Sequence, residues 1–234
     1  MKIAIMQPYL FPYIGYFQLM NAVDEFVVYD NIQYTKKGWI NRNRILVDGK
    51  DAYITVPLKN DSDYLDIVQR SLAENWPDHR IKILNRLAAS YKKAACFEQV
   101  YPVIENALLR GDRNLFSFIY NSLVLIKDFL DIKTQLVVSS TIPVDHTLKS
   151  DSRVIEICKA RKADSYLNPA GGIQLYSKEK FKSEGIDLSF IKTNEFEYAQ
   201  YNNEFVPYLS IIDVMMFNSK DVIREYLVKH CTLL

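Results

Sequence analysis

Apolar positions near the start of the chain fall in short runs. KIAIM over Lys2–Met6 reads as a buried strand, 13–23 as the next helix, which stops before Asp24, and EFVVYD over 25–30 as a second strand. A strand, a short helix and a strand make a βαβ unit, which places its strands parallel through a right-handed crossover. Two β-type runs, 44–47 and 53–56, flank Asp48-Gly49, a hairpin signal that puts a hairpin on the sheet or beside its edge. From about 78 to 131 the period changes to helical: HRIKILNRLAASYKKA places Ile81, Leu84, Leu87, Ala88 and Tyr91 on one face. Helices over 102–109 and 114–130 come next, with Asp112 a candidate N-cap. The remainder alternates again. Strands are expected at Gln135–Val138, 165–167 and 186–191, and helices at 151–160, 177–183, 207–217 and Lys220–Lys229. The pattern predicts an α/β fold with a mostly parallel central sheet flanked by helices. No Pro-, Gly- or Ser-rich linker divides the chain, so 1–234 reads as one domain, with 78–131 a helical layer or insert.

Composition narrows the functional classes. With 49% apolar and 24% charged residues the chain matches ordinary globular proteins. A formal net charge of +1 supplies no general field for nucleic acid or an anionic membrane. No apolar stretch approaches a membrane span, and Pro8 and Pro12 interrupt what would have to be a signal peptide, so a cytoplasmic location is expected. Cys96, Cys158 and Cys231 are odd in number and lack CxxC spacing, which fits free thiols in a reducing compartment. No HxxxH, HxH or paired-carboxylate spacing supports a metal site, and no redox cofactor is indicated.

Candidate chemistry concentrates in two polar segments. YDNIQYTKKGWINRNRI extends from the end of the second strand and combines Asp30, the amides Asn31, Gln33 and Asn41, the cations Lys37 and Arg42, and Trp39. Arg and Lys suit phosphate or carboxylate oxygens and Trp offers a stacking plane, although a solvated polar loop has the same composition. SDSRVIEICKARKADSYLNPAGGIQLYS offers Asp151 or Ser152 as a cap for the helix carrying Arg153. Its Gly171-Gly172 pair would let backbone approach a ligand closely, with N–H groups of the next helix turned to an anion. There is no GxGxxG and no GK[ST]. His146 is a candidate general base beside Asp30. Near the end, Ser210 and Asp213 would share one face of an otherwise apolar helix.

Four blocks in order, QPYLFPYIGYFQLM, DNIQYTKKGWINRN, RVIEICK with ADSYLNPAGG, and FVPYLSIID, resemble the WbqC-like family over nearly the whole chain. The resemblance implies an α/β protein associated with bacterial O-antigen and other surface-polysaccharide synthesis. Carried over by position, it points to Gln7, Pro8, Pro12, Gly15, Asp30, Lys37, Trp39, Asn41, Arg42, Arg153, Gly171, Gly172, Ser210 and Asp213. A looser similarity links the strand, loop and PYIGYF helix to the His-x-Gly-His region of nucleotidyltransferases and pantothenate-synthetase-like ligases, with Pro12 and Tyr16 standing where the histidines would be.

Together these suggest an enzyme acting on a dTDP- or UDP-linked sugar, transferring an acyl or aminoacyl group to a sugar amine. Lys37, Arg42 and Arg153 would bind phosphates, Tyr9 and Trp39 would pack on base or sugar, and Asp30 or His146 would manage a proton. The alternatives are an ATP-dependent nucleotidyltransferase or ligase and a non-catalytic sugar-nucleotide-binding component. A tRNA-borne donor stays open, as does the oligomeric state, a homodimer included.

Overall fold

The computed structural model describes residues 1–234. Its central sheet has six strands: β1 (Lys2–Met6), β2 (Glu25–Val28), β5 (Gln135–Val138), β6 (Ser165–Pro169), β7 (Asp187–Thr193) and β8 (Cys231–Leu233). The order across the sheet is β5-β2-β1-β6-β7-β8, all parallel except β8, which runs antiparallel to β7. The chain first winds outward from β1 through β2 to β5, then returns to the other side of β1 for β6 and β7. That reversal, between β1 and β6, is the topological switch point of a doubly wound sheet.

Right-handed crossovers demand that connections running in opposite directions cover opposite faces. The two cores obey this. One packs Ala4, Phe26, Val28 and Leu167 against the helices α1 (Ile14–Asn21), α2 (Trp76–Tyr91), α3 (Phe97–Leu109), α4 (Leu115–Phe129), α7 (Ile211–Phe217) and α8 (Lys220–Lys229). The other packs Ile3, Ile5, Val27 and Tyr166 against α5 (Ser150–Ala160) and α6 (Lys178–Ser183). Ile3, Ala4 and Ile5 thus alternate between the two cores, the period-two pattern of a strand covered on both sides.

The helical layer is the long crossover from β2 to β5. It begins with the hairpin β3 (Arg42–Val47) and β4 (Lys50–Thr55), which forms a separate two-stranded sheet. Asp48 (φ 50°) and Gly49 (φ 75°) both occupy the left-handed region at its turn, as a tight two-residue hairpin requires.

Several boundaries differ from expectation. α3 starts at Phe97 and carries Pro102 inside its length, past the first turn where proline costs nothing, so the Glu98 carbonyl receives no N–H from position 102. Asn114, not Asp112, caps α4 by accepting the Ser117 N–H at 3.0 Å, while Asp112 pairs with Arg110. On α2 the buried face is Ile83, Leu84, Leu87 and Tyr91, and Ile81 faces solvent. Neither Asp151 nor Ser152 caps α5, whose N-cap position is Lys149. Ser210 is the N-cap of α7, which starts at Ile211, so its hydroxyl serves the helix start and the Phe11 carbonyl and does not form a pair with Asp213.

One hydrogen-bonded network joins hairpin, helical layer and C-terminal segment. The Leu46 N–H donates to the Tyr91 hydroxyl (2.8 Å), which donates to Asp213 Oδ1 (2.7 Å). Asp213 Oδ2 accepts from the Tyr198 hydroxyl and from Gln200 Nε2, each at 2.7 Å. Burial raises the Asp213 carboxyl above its ordinary range, opposed by these three donors.

Asp213→Ala leaves three buried donors without an acceptor and is expected to lower stability by about 3 kcal/mol in urea unfolding. Because the folded-state carboxyl titrates above the unfolded one, its contribution is fully present below the unfolded value and is lost as pH rises through the folded one. Wild type should therefore lose stability relative to Asp213→Asn as pH rises from about 4. A pH-independent difference between the two would contradict this.

Candidate functional site

At the carboxyl end of β1 the chain enters a loop stiffened by Pro8 and Pro12 and clamped from two sides. Asn43 of β3 donates to the Leu10 and Phe11 carbonyls (3.0 and 2.7 Å), and Ser210 Oγ donates to the Phe11 carbonyl (2.7 Å). The Ile211 N–H reaches the Pro12 carbonyl at 2.8 Å. Held this way, Phe11 sits at φ 41°, a conformation a bulky residue adopts only when its surroundings enforce it.

The clamp leaves a groove along the carboxyl ends of β2, β1, β6 and β7, where ligands bind in open α/β sheets. Its largest part is a cleft of about 660 Å³ between the segment after β2 and the start of α5, lined by Asn31, Gln33, Asp66, His146, Lys149 and Arg153 among others. Tyr29 and Ile32 are shared with a neighbouring hollow of about 310 Å³ at the switch point, where Gln7 faces Asn168, Gly171 and Gly172. Met6, Pro169 and Gly171 are shared in turn with a third hollow of about 280 Å³, lined by Tyr9, Tyr13 and Tyr16.

Asn31, His146 and Arg153 form the polar centre of the cleft. Arg153 is 8% exposed; its Nη2 donates to the Asn31 carbonyl at 3.1 Å and lies 3.3 Å from His146 Nδ1. Its guanidinium carbon lies 4.7 Å from the centre of the Tyr29 ring. Asn31 Nδ2 lies 3.0 Å from the same His146 Nδ1. A guanidinium can only donate, so Nδ1 must accept, and the neutral ring carries its proton on Nε2. In that tautomer His146 offers a ligand an N–H donor instead of a basic nitrogen. Arg153 Nε and Asn31 Oδ1 are buried without partners. Buried polar groups normally find partners, so two orphans on residues of one cleft indicate capacity for a bound polar group.

The residues expected from the sequence divide sharply. Gln7, His146, Arg153, Gly171 and Gly172 converge on the first two hollows, and Tyr9 lines the third. A Cβ on Gly172 would lie 1.9 Å from Asn168 Nδ2, so any larger residue there must push the Asn168 amide aside. The glycine pair lies within a 3-10 turn, Ala170–Leu175, and no α-helix starts there to aim its N–H groups at an anion. Asp30 is fully buried, accepts the Ser140 N–H at 2.9 Å, and lines none of the three hollows.

Lys37, Trp39, Asn41 and Arg42 line none of the three hollows, and Asn41 and Arg42 are engaged by neighbouring backbone and side chains. Arg42 donates to the Gly38 and Lys37 carbonyls and lies 5.0 Å from the Tyr53 ring centre, while Trp39 stacks on Tyr53 at 6.0 Å. Asn41 accepts from the Tyr34 hydroxyl and donates to the Val56 carbonyl, both at 2.8 Å. Ser210 and Asp213 hold the loop clamp and the buried network.

Missed from the sequence were Tyr29, Asp66 and Tyr176. Tyr29 had a signal, since it stands just before the acid that ends the second apolar run. Asp66 had none: it arrives through an isolated antiparallel bridge with Gln33, made inside the long crossover. His, Cys, Asp and Glu side chains form no group of three suited to a metal ion, and no helix is long and apolar enough to cross a membrane.

The tautomer can be read directly. In long-range 1H–15N spectra the neutral His146 ring should carry its proton on Nε2, and Arg153→Ala should shift the population towards the Nδ1–H form. A wild-type ring protonated on Nδ1 would contradict the geometry.

Comparison with known proteins places the chain. The uncharacterized protein Rv1507c of Mycobacterium tuberculosis is 28% identical over 236 residues, covering 98% of both chains. No solved structure matches. The model of the WbqC-like protein family matches residues 7–225, spanning every strand except β1 and the terminal β8. The chain belongs to the WbqC-like protein family.

Proposed function

We propose that the chain binds a nucleotide-linked sugar in the groove and transfers an acyl or aminoacyl group to an amine on that sugar, as a step in bacterial surface-polysaccharide synthesis. The observation that carries this reading is the continuity, through Tyr29 and Ile32, of a cation- and donor-rich cleft with the switch-point hollow. The diphosphate faces Arg153, Lys149 and the His146 Nε2–H, because guanidinium, ammonium and N–H donors are what phosphate oxygens accept. The sugar lies against Gln7, Asn168 and the glycine pair. Lys37 and Arg42 have no part in it.

In the transfer the sugar amine attacks the carbonyl of an activated ester, a C–N bond forms and the ester C–O bond breaks, and the proton the amine loses passes through a protein base to the departing oxygen, which leaves as an alcohol. His146 in its Nε2–H form donates and does not accept, so the proton acceptor is Asp66, the one carboxylate that lines the cleft. A second reading, ATP-dependent nucleotidyl transfer or ligation, draws support from the strand order, which in parallel strands is 3-2-1-4-5, that of nucleotide-binding doubly wound sheets. Pro12 and Tyr16 in place of the loop histidines speak against it.

Calorimetric titration with UDP- and dTDP-sugars and with ATP separates the two. Sugar nucleotides should bind. Arg153→Ala should weaken them by roughly 30-fold, about 2 kcal/mol, and Gly172→Ala by about tenfold as Asn168 is displaced into the hollow. Trp39→Ala and Arg42→Ala should leave affinity unchanged. Binding of ATP alone supports the second reading, and loss of affinity in the Trp39 or Arg42 variants only would move the site to the hairpin.

A further inference from the structure

The last of the four sequence blocks, from Phe205 to Asp213, takes no part in the reading above, yet it walls a hollow of about 280 Å³ at the far end of the groove. This hollow adjoins the tyrosine-lined one through Tyr13 and Thr193. Five aromatic rings surround it: Tyr13, Phe196, Tyr198, Phe205 and Tyr208. Tyr13 and Tyr208 stand 5.8 Å apart between centres, and Phe205 meets Tyr198 edge-on at 5.1 Å. Glu195 and Glu197 also line it, and neither takes part in an ion pair of the chain. Behind Tyr198 lies Asp213, whose Oδ2 accepts from the Tyr198 hydroxyl at 2.7 Å and so fixes that ring. Of the nearby cations, Arg44 is turned to the Tyr208 carbonyl and to Asp51, and the Lys192 side chain is exposed on the strand before Thr193.

We infer that this hollow binds the ammonium group of a small amine-bearing ligand. Aromatic faces carry negative potential and attract an organic cation within about 6 Å of the ring centre. Glu195 and Glu197, both exposed, are also among its lining residues and add solvent-screened negative charge beside the rings. An anion would meet repulsion from both, and a neutral guest would gain nothing from either the charges or the ring faces' negative potential. The volume lies at the small end for ligand pockets and suits one compact group. The ammonium could belong to an aminoacyl group or to an amino sugar, the two amine-bearing classes in the proposed reaction. The inference rests on that reading only for which amine is natural; the binding itself does not depend on it.

The test is NMR titration of the full chain with glycinamide and with glucosamine, each beside its uncharged counterpart, glycolamide and glucose. At least one cation should perturb the Tyr198 and Phe205 side-chain resonances, and its neutral partner should bind at least fivefold more weakly. Phe205→Leu, which keeps apolar bulk, should lower the cation's affinity about fivefold, equivalent to about 1 kcal/mol, and Glu197→Gln should also lower it. Both variants should leave affinity for nucleotides of sugars that carry no amine intact. Glycinamide alone identifies the aminoacyl source and glucosamine alone the amino sugar. Equal binding of cation and neutral analogue, or no binding of either cation, overturns the inference whatever the sugar nucleotides do. Cation binding without sugar-nucleotide binding sinks the proposed function and leaves this site standing.

Discussion

The groove depends on a buried carboxylate. Asp213 is fully buried, and its oxygens accept from Tyr91, Tyr198 and Gln200. A charge buried without partners would be prohibitive, but three donors at 2.7 Å make the site a rigid junction. Through Tyr91 and Leu46 it fixes the helical layer to the hairpin. Through Gln200, which also takes the Val206 N–H at 2.7 Å, it fixes the segment between β7 and α7. The hairpin and the start of α7 are the two jaws that hold the Leu10–Phe11 loop, so the carboxylate indirectly sets the floor of the groove.

That arrangement accounts for polar residues that resemble binding groups and are not at the groove. Asn43, Asn41, Arg42 and Ser210 each satisfy backbone carbonyls of irregular segments. A long crossover containing a hairpin and three helices has many backbone groups outside regular ladders, and buried ones must be paired. Side-chain amides and guanidinium groups provide that pairing as readily as they would hold a ligand. Composition alone does not distinguish the two uses.

Much of the scaffold was legible. Lys2–Met6, Gln135–Val138 and Lys220–Lys229 appear with the expected bounds, because strong apolar runs and an amphipathic stripe report local structure directly. The Asp48-Gly49 turn was visible for the same reason, since left-handed backbone restricts residue choice. β8 was not expected at all. Its three residues form a strand only by pairing with β7, and so short a segment carries no period of its own. The α7 boundary was placed too early because Pro207 to Ser210 are apolar enough to extend the stripe, while the Ser210 cap actually begins the helix. For the site, Arg153, His146, Gln7 and the glycine pair were identifiable as unusual residues near strand ends, and the structure brings them together. Lys37, Trp39, Asn41 and Arg42 looked equally unusual and line none of the groove; Trp39 and Arg42 pack on Tyr53 of the hairpin, and Asn41 and Arg42 bond to nearby carbonyls.

The sequence by itself determined the α/β alternation, the parallel character of the first unit and the set of residues from which a site could be made, because these depend on side-chain period and residue chemistry. Tertiary structure alone decided the reversal of winding between β1 and β6, and with it which strand ends form the groove. It alone brought Asp66 to Gln33, set Arg153 against the Asn31 carbonyl, and joined the Asp213 carboxylate to Tyr91. The reason is distance along the chain. Arg153 meets Asn31 across 122 positions and Tyr91 meets Asp213 across the same number, separations over which local pattern carries no information about partners.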